Sequence, residues 1–358
     1  MLTDQQIENI RTWQALAIRN KSLIQEQLSW LITNQYFNIW VPKHYNGLEL
    51  SLMEGLSRLE ELAYWDAGLA WTVTLCSGAN MFVGFMDTDL ANELFTNSEV
   101  CLGGSGQVAG KADWNGQAYV LSGFWKYATG STHISHFTLN APIYHQGIPQ
   151  LAADGNPIIR SFVIPRDQVL LHYDWSSMGL ECTASHSFSL DAVVVDKKYS
   201  FQLTAETKTN QSALFDIPFL SFAEITLTVN YLGMYSRFLD LLEKYLFEKS
   251  KQPTVNPELI KKRFSRLDQL QLKFYSERKQ LFDLFKVAWN NSVNADFESN
   301  SSVYSHISSD CKTIVHQLYD DLNELFPWTG IRGIQLDEEL NIVYRNLLTA
   351  RQHALLQG

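Results

Sequence analysis

The chain predicts an α+β, multidomain fold in three parts. These are an all-helical N-terminal domain (residues 1–98), a small antiparallel β-barrel or sandwich (99–205) and an up-and-down four-helix bundle (206–358). Three observations lead there. Apolar residues recur at helical spacing over the first hundred positions, the period shortens near Val100, and helical patterning returns at about Ala213 and persists to the end. At 358 residues, with 46% hydrophobic and 18% charged residues, the chain is long enough for more than one core and is not a disordered composition.

In the first part, Thr3 with Gln6 and Ser51 with Glu54 form capping boxes, and Asp66 is placed to cap a helix beginning at Ala67. That third helix is small or apolar nearly all round (Gly68, Ala70, Val73, Gly78, Ala79), which predicts burial on every face. In the second part, Lys111–Trp114 and Gln117–Ser122 flank Asn115-Gly116 and read as a hairpin with a type I′ turn. Further strands are expected over Trp125–Ala128, His136–Ala141, Pro157–Pro165, Val169–Tyr173, Ser185–Leu190 and Ala192–Val195. In the third part, helices are expected over Ile217–Lys249, from Asn256-Pro257-Glu258 to Asn290, over Ser302–Leu325 and over Leu336–Leu356.

Several function classes are disfavoured at once. The net charge is -10 with no cluster of Lys and Arg, so a nucleic-acid groove is not expected. The N-terminus lacks a secretion-signal pattern, and the longest apolar stretches, near Ala67–Leu75 and Phe215–Phe222, look too short or too polar to span a membrane. Cys76, Cys101, Cys182 and Cys311 are scattered without a CxxC pair and read as buried, reduced thiols of a cytoplasmic protein. His133 and His136 lie three apart in a turn, but no third ligand stands at useful spacing, so no metal site is expected.

Four segments, in order and spacing, carry a family resemblance. They are Val41-Pro42-Lys43-His44-Tyr45-Asn46-Gly47 with Glu60-Glu61-Leu62-Ala63-Tyr64-Trp65-Asp66, then Tyr119-Val120-Leu121-Ser122-Gly123-Phe124-Trp125-Lys126-Tyr127-Ala128-Thr129-Gly130, then Met178-Gly179-Leu180-Glu181-Cys182-Thr183-Ala184-Ser185-His186, and Tyr344-Arg345-Asn346-Leu347-Leu348-Thr349-Ala350-Arg351-Gln352-His353. Together they resemble the acyl-CoA dehydrogenase superfamily. The resemblance implies a flavoprotein oxidoreductase, FAD-dependent or using reduced FMN or FAD as a co-substrate, assembled as a homodimer or homotetramer. It places Thr129 near flavin N5, Tyr127 and Trp125 at the aromatic positions beside the ring, Gly104 and Ser105 in a strand-end loop facing the pyrimidine edge, and Arg345 on the final helix. Glycines in such a loop bring backbone N–H donors close to an electron-rich ring.

The chemistry divides on the base. An acyl-CoA dehydrogenase needs a carboxylate to take the substrate α-proton. Nine residues on from Arg345, where the common pattern has glutamate, this chain has Ala354, and no acid follows Glu339. Glu224, one residue off the alternative position on the first bundle helix, remains as that candidate. The Arg expected after Met178-Gly179-Leu180 is Glu181, the Asp expected after Arg345 is Asn346, and the segment around Lys261–Leu267 lacks the pattern that holds the FAD pyrophosphate. The superfamily branch that takes reduced flavin from a partner reductase and oxygenates a small, often aromatic, molecule is closer. There His353, eight residues after Arg345 on one expected helix ridge, becomes the catalytic candidate. Three readings therefore stand: a reduced-flavin monooxygenase, an acyl-CoA dehydrogenase with an unusual base, and a relative without catalysis.

Overall fold

A computed structural model describes residues 1–296 and 300–357. Five helices open the chain: α1 (Asp4–Asn20), α2 (Gln25–Thr33), α3 (Leu52–Trp65), α4 (Ala67–Asn80) and α5 (Thr88–Phe95). The sequence caps are present. Thr3 and Gln6 exchange side-chain and backbone bonds, as do Ser51 and Glu54. The Asp66 carboxylate accepts from Gly68 N at 3.0 Å and Leu69 N at 3.1 Å, which satisfies two of the free donors at the start of α4. All of α4 is buried except the half-buried Leu75. The stretch Ala67–Phe85 is in fact long and apolar enough to cross a membrane by length and composition, contrary to the sequence expectation, but 94% of it is buried inside the protein.

Nine strands follow: β1 (Leu102–Val108), β2 (Lys111–Trp114), β3 (Ala118–Ala128), β4 (His136–His145), β5 (Ile148–Pro149), β6 (Ile159–Pro165), β7 (Leu170–His172), β8 (His186–Asp196) and β9 (Ser200–Phe201). They form one sheet in the order β7-β8-β3-β2-β4-β6-β9, with β1 and β5 also on β4. The sheet is mixed, not antiparallel as expected, because β1 and β2 both run parallel to β4. The glycine segment expected as a loop is strand β1. A Cβ on Gly104 would stand 1.8 Å from the Thr138 carbonyl oxygen, so glycine is what lets β1 lie against β4. The Asn115-Gly116 turn also differs from the expected type I′. Gly116 alone has positive φ (102°), while Asn115 uses its side chain to accept from Gln117 N and Ala118 N.

The helical remainder comprises α6 (Phe219–Ser250), α7 (Pro257–Val293), α8 (Asn300–Leu325) and α9 (Glu339–Ala350). Asn256 caps α7 and Pro257 opens it, as read from the sequence. Helix α6 is buried over most of its length and touches α3, α4, α7, α8 and α9. The last helix is shorter than expected. It stops at Ala350, and a separate 3-10 turn, Ala354–Leu356, follows. His353 sits between them with extended backbone (φ -64°, ψ 130°), so the expected ridge through Arg345, Thr349 and His353 breaks before the histidine.

Candidate functional site

Helix α4 is the element on which the sheet and the later helices meet. Near its start, Gly68 leaves room for the Cys182 sulfur, which an added Cβ would meet at 2.3 Å. One turn on, the Trp71 indole meets the His353 ring edge-on at 5.9 Å. Thr74 Oγ1 accepts from Asn230 Nδ2 of α6 at 3.0 Å, and Cys76 Sγ approaches the Thr129 carbonyl oxygen at 3.8 Å. Asn80 then donates to Val100 O and accepts from Leu102 N, which fixes the entry to β1. Trp71 and Cys76 are five residues apart, about 7.5 Å along the axis, so the histidine and the threonine attach to one short stretch of helix.

On the sheet side, Thr129 and Ser185 share a hydroxyl hydrogen bond of 2.9 Å, and Ser185 and Thr183 share another of 2.8 Å. Thr183 Oγ1 donates to Leu180 O at 2.8 Å, Gly130 N to Thr183 O at 2.8 Å and Ser131 Oγ to Ala184 O at 2.6 Å. All four hydroxyl residues are buried. Beside them Tyr127 is 67% exposed at φ 67°, edge-on to Trp175 at 6.3 Å. A non-glycine residue at positive φ costs about 1–3 kcal/mol and persists only where its surroundings hold it there. Here the strain carries a large aromatic side chain outward. An exposed aromatic beside a buried hydroxyl chain fits a flat heteroaromatic group, which presents both ring faces and a polar edge.

On the helical side, His353 Nδ1 accepts from Leu355 N at 3.3 Å. The side chain therefore N-caps the following turn, neither continuing α9 nor meeting its C-terminal dipole. With Nδ1 accepting, the ring proton belongs on Nε2, which has no hydrogen-bond partner among the described residues. Burial lowers the His353 pKa, so the ring is neutral at pH 7. The arrangement offers one Nε2–H donor.

Arg345 is already engaged. It donates to the Glu181 carboxylate and to Met178 O at 2.8 Å, and Leu180 N donates to Asn346 Oδ1 at 2.7 Å. The two departures from the family pattern, Glu181 and Asn346, thus meet each other's neighbours and clamp α9 onto the 178–181 segment. Gly179 permits it, since a Cβ there would fall 2.2 Å from Arg345 O. Arg345 is a brace in this structure, not a free cation for a cofactor.

Other expectations also need correction. Trp125 is fully buried, stacked on Phe188 at 5.5 Å with its indole N–H donating to Asn140 O at 3.0 Å, so it is core of the sheet and not beside a ring. Glu224 is buried but faces α8, where it accepts from Ser308 Oγ at 2.7 Å and lies 3.6 Å from Lys312 Nζ. No proton-accepting role toward Thr129 or His353 is open to it there. Gly104 serves strand packing, and Ser105 Oγ accepts from Gln107 N at 3.2 Å within its own strand.

Sequence reasoning missed Ser185 and Thr183 as partners of Thr129, and it missed a cluster. Among the described residues, Cys76, Cys101 and His133 bring their sulfur and nitrogen atoms within 4.8 Å of one another, whereas His136 hydrogen-bonds its neighbour Ser135. No local spacing signals a set drawn from α4, the residue before β1 and the turn after β3. Two open surface clefts, of about 390 and 290 Å³, lie elsewhere, one around Lys111, Asp113 and Gln146 and the other around Glu243, Phe247 and Phe264.

No protein-family model matches the chain. It is 22% identical to an indole-3-acetate monooxygenase of Acinetobacter baumannii, in an alignment covering 88% of this chain and 79% of that one. It is 21% identical to the oxygenase subunit HsaA of a flavin-dependent monooxygenase from Rhodococcus jostii, over 56% of this chain and only 52% of that relative. Among solved structures it superposes with XiaF from a Streptomyces species, in complex with FADH2 and glycerol, at a TM-score of 0.82 and 20% identity, covering 97% of this chain and 88% of that one. The α+β fold of this chain is therefore the fold of a structure solved with reduced flavin.

Proposed function

We propose that this chain is the oxygenase component of a two-component, reduced-flavin-dependent monooxygenase acting on a small aromatic molecule. It is a flavin-dependent oxidoreductase, and reduced flavin is its cofactor or co-substrate. The observation that carries the finer reading is His353, a half-buried, neutral imidazole with Nε2–H unspent, held against Trp71. The named relatives, one of them an indole-3-acetate monooxygenase and another an oxygenase subunit, support the same choice.

When bound, reduced flavin supplies the two electrons with which dioxygen places one atom in the substrate and releases the other as water. Thr129 and Tyr127 are the residues we assign to hold it: Thr129 through its hydroxyl oxygen, Tyr127 as an aromatic wall. Because Thr183 donates to Leu180 O, Ser185 donates to Thr183 and Thr129 donates to Ser185, which fixes the Thr129 hydroxyl and leaves its oxygen to accept. His353 donates from Nε2 to an oxygen atom that gains negative charge, a task for which a donor held in place by its own cap to Leu355 N is well suited. Trp71 supplies the apolar face against an aromatic substrate. The acyl-CoA dehydrogenase reading loses its base, since Glu224 is spent on Ser308 and Lys312.

A separate flavin reductase is the expected partner, because an oxygenase that receives its flavin already reduced needs a supplier. A homodimer or homotetramer is the assembly we assign to this chain. The test is reconstitution with an NADH-dependent flavin reductase, FMN or FAD, and labelled dioxygen, offering indole-3-acetate and a panel of phenols. A product carrying one labelled oxygen atom is expected. Hydrogen peroxide alone with every substrate, or dehydrogenation of an acyl-CoA, would refute the reading.

A further inference from the structure

We infer that Cys76, Cys101 and His133 form a binding site for one zinc ion, set behind Thr129 and independent of the flavin. Three observations carry this. The three ligand atoms, one from each residue, all lie within 4.8 Å of one another. His133 is a half-buried residue whose two ring nitrogens are nonetheless buried and have no hydrogen-bond partner, an unusual state for polar atoms. The backbone is also cut to let the ligands close in. Gly130, at φ 79°, would place a Cβ 2.9 Å from His133 Nε2 and 3.0 Å from Cys76 Sγ, so any larger residue would push the histidine and the sulfur apart.

The donor set decides the ion. Two thiolates and a neutral imidazole match the soft-to-borderline preference of zinc, and a divalent ion with two thiolates is neutral overall, which suits a dry site. Tetrahedral coordination at ordinary zinc–sulfur and zinc–nitrogen lengths separates the ligand atoms by roughly 3.5–3.8 Å. The spacing here, up to 4.8 Å, therefore needs only small side-chain rotations. Binding converts two thiols to thiolates and releases two protons, with the metal staying divalent and no electron transferred. The Thr129 carbonyl oxygen, 3.8 Å from Cys76 Sγ, or a water fills the fourth position. A disulfide between the two cysteines would instead leave both His133 nitrogens unpartnered.

The consequence is a pin. Cys76 belongs to α4, Cys101 leads into β1 and His133 lies in the turn after β3, so a bound ion would tie together the three pieces that hold Thr129 and Gly130 from behind.

The experiment uses the full chain, purified without chelator and freed of flavin, so its outcome does not depend on the proposed oxygenase activity. Elemental analysis should find about one zinc per chain in the wild type and a loss of at least about tenfold in Cys76→Ser, Cys101→Ser and His133→Gln. Cobalt titration of metal-free wild type should produce a thiolate-to-cobalt charge-transfer band, which the folded variants lack. If a variant does not fold, judged by circular dichroism, the wild-type cobalt band still decides. Background zinc together with no cobalt band would overturn the assignment. So would full zinc content in all three folded variants, or a Cys76–Cys101 disulfide in the intact mass of freshly purified protein.

Discussion

Two of the polar centres among the described residues differ in what they leave unspent. At the α6–α8 contact, Glu224 is matched by Ser308 and Lys312. At the junction of α4 with the sheet and the end of α9, the hydroxyls of Thr129, Ser185 and Thr183 are matched among themselves, while His353 keeps a ring nitrogen free and Tyr127 is held outward at a strained φ. Native interiors pair their polar groups, so the matched centre reads as structure and the unmatched one as a place for something else to bind. The difference also teaches where the sequence candidates mislead. A carboxylate on the right helix is no base once two neighbours on another helix have claimed it.

The comparison breaks most sharply at the brace beside the second centre. Arg345→Met leaves Glu181 as an uncompensated, largely buried charge, and thermal or denaturant unfolding should register a loss of about 3–5 kcal/mol. The double change with Glu181→Met should recover most of it. If the single substitution costs nothing, α9 is not clamped as described. His353→Ala should lower product formation about 100-fold, the usual effect of losing one preset donor, with reduced-flavin binding changed far less. An equal fall in both would make His353 part of the cradle and not of the chemistry.

Asp66 sharpens the comparison from the start of α4. Burial raises its carboxyl to about 6 against an ordinary 3.8, outweighing the hydrogen bonds from Leu69 N, the Gln14 side chain and Gly68 N. The folded state then binds its proton more tightly than the unfolded chain. Between about pH 4 and pH 6 this group's contribution to stability falls as pH rises, and above that it stays low. Asp66→Asn keeps an oxygen to cap α4 and removes the buried charge, while giving up the acceptor that meets Gln27 Nε2 at 3.4 Å. It should gain on the order of 1–3 kcal/mol over wild type at pH 7.5 and nothing at pH 3, read from unfolding curves at both. The smallest effect belongs to the matched centre: Glu224→Gln should leave turnover within about twofold. A collapse of activity with the fold intact would restore Glu224 as a base.

Much of the fold was legible because its signals are local. Capping boxes, the Asn256-Pro257 start and the all-apolar α4 need only neighbours a few residues apart. The sheet was less so. Parallel pairing of β1 with β4 joins residues more than thirty apart, and the glycines that make it possible look like a loop when read alone. Of the candidate site, Thr129, Tyr127 and His353 were reachable through a family resemblance. Trp125 was not distinguishable from them, because alternation along a strand does not say which face is covered. Ser185, Thr183 and the Cys76–Cys101–His133 cluster carry no spacing signal, since their meeting depends on where α4 lies against the sheet. The end of α9 escaped because His353 uses its own side chain to accept from Leu355 N, a local competitor to the helix that helical periodicity does not report.

The most direct test of the central claim is an anaerobic equilibrium titration of flavin-free protein with oxidised and reduced FAD and FMN, followed by tryptophan fluorescence. An oxygenase that receives its flavin from a reductase should bind a reduced form at least about tenfold more tightly than its oxidised form. Tight retention of oxidised FAD, bleached on adding an acyl-CoA, would contradict the account and return the protein to the dehydrogenases.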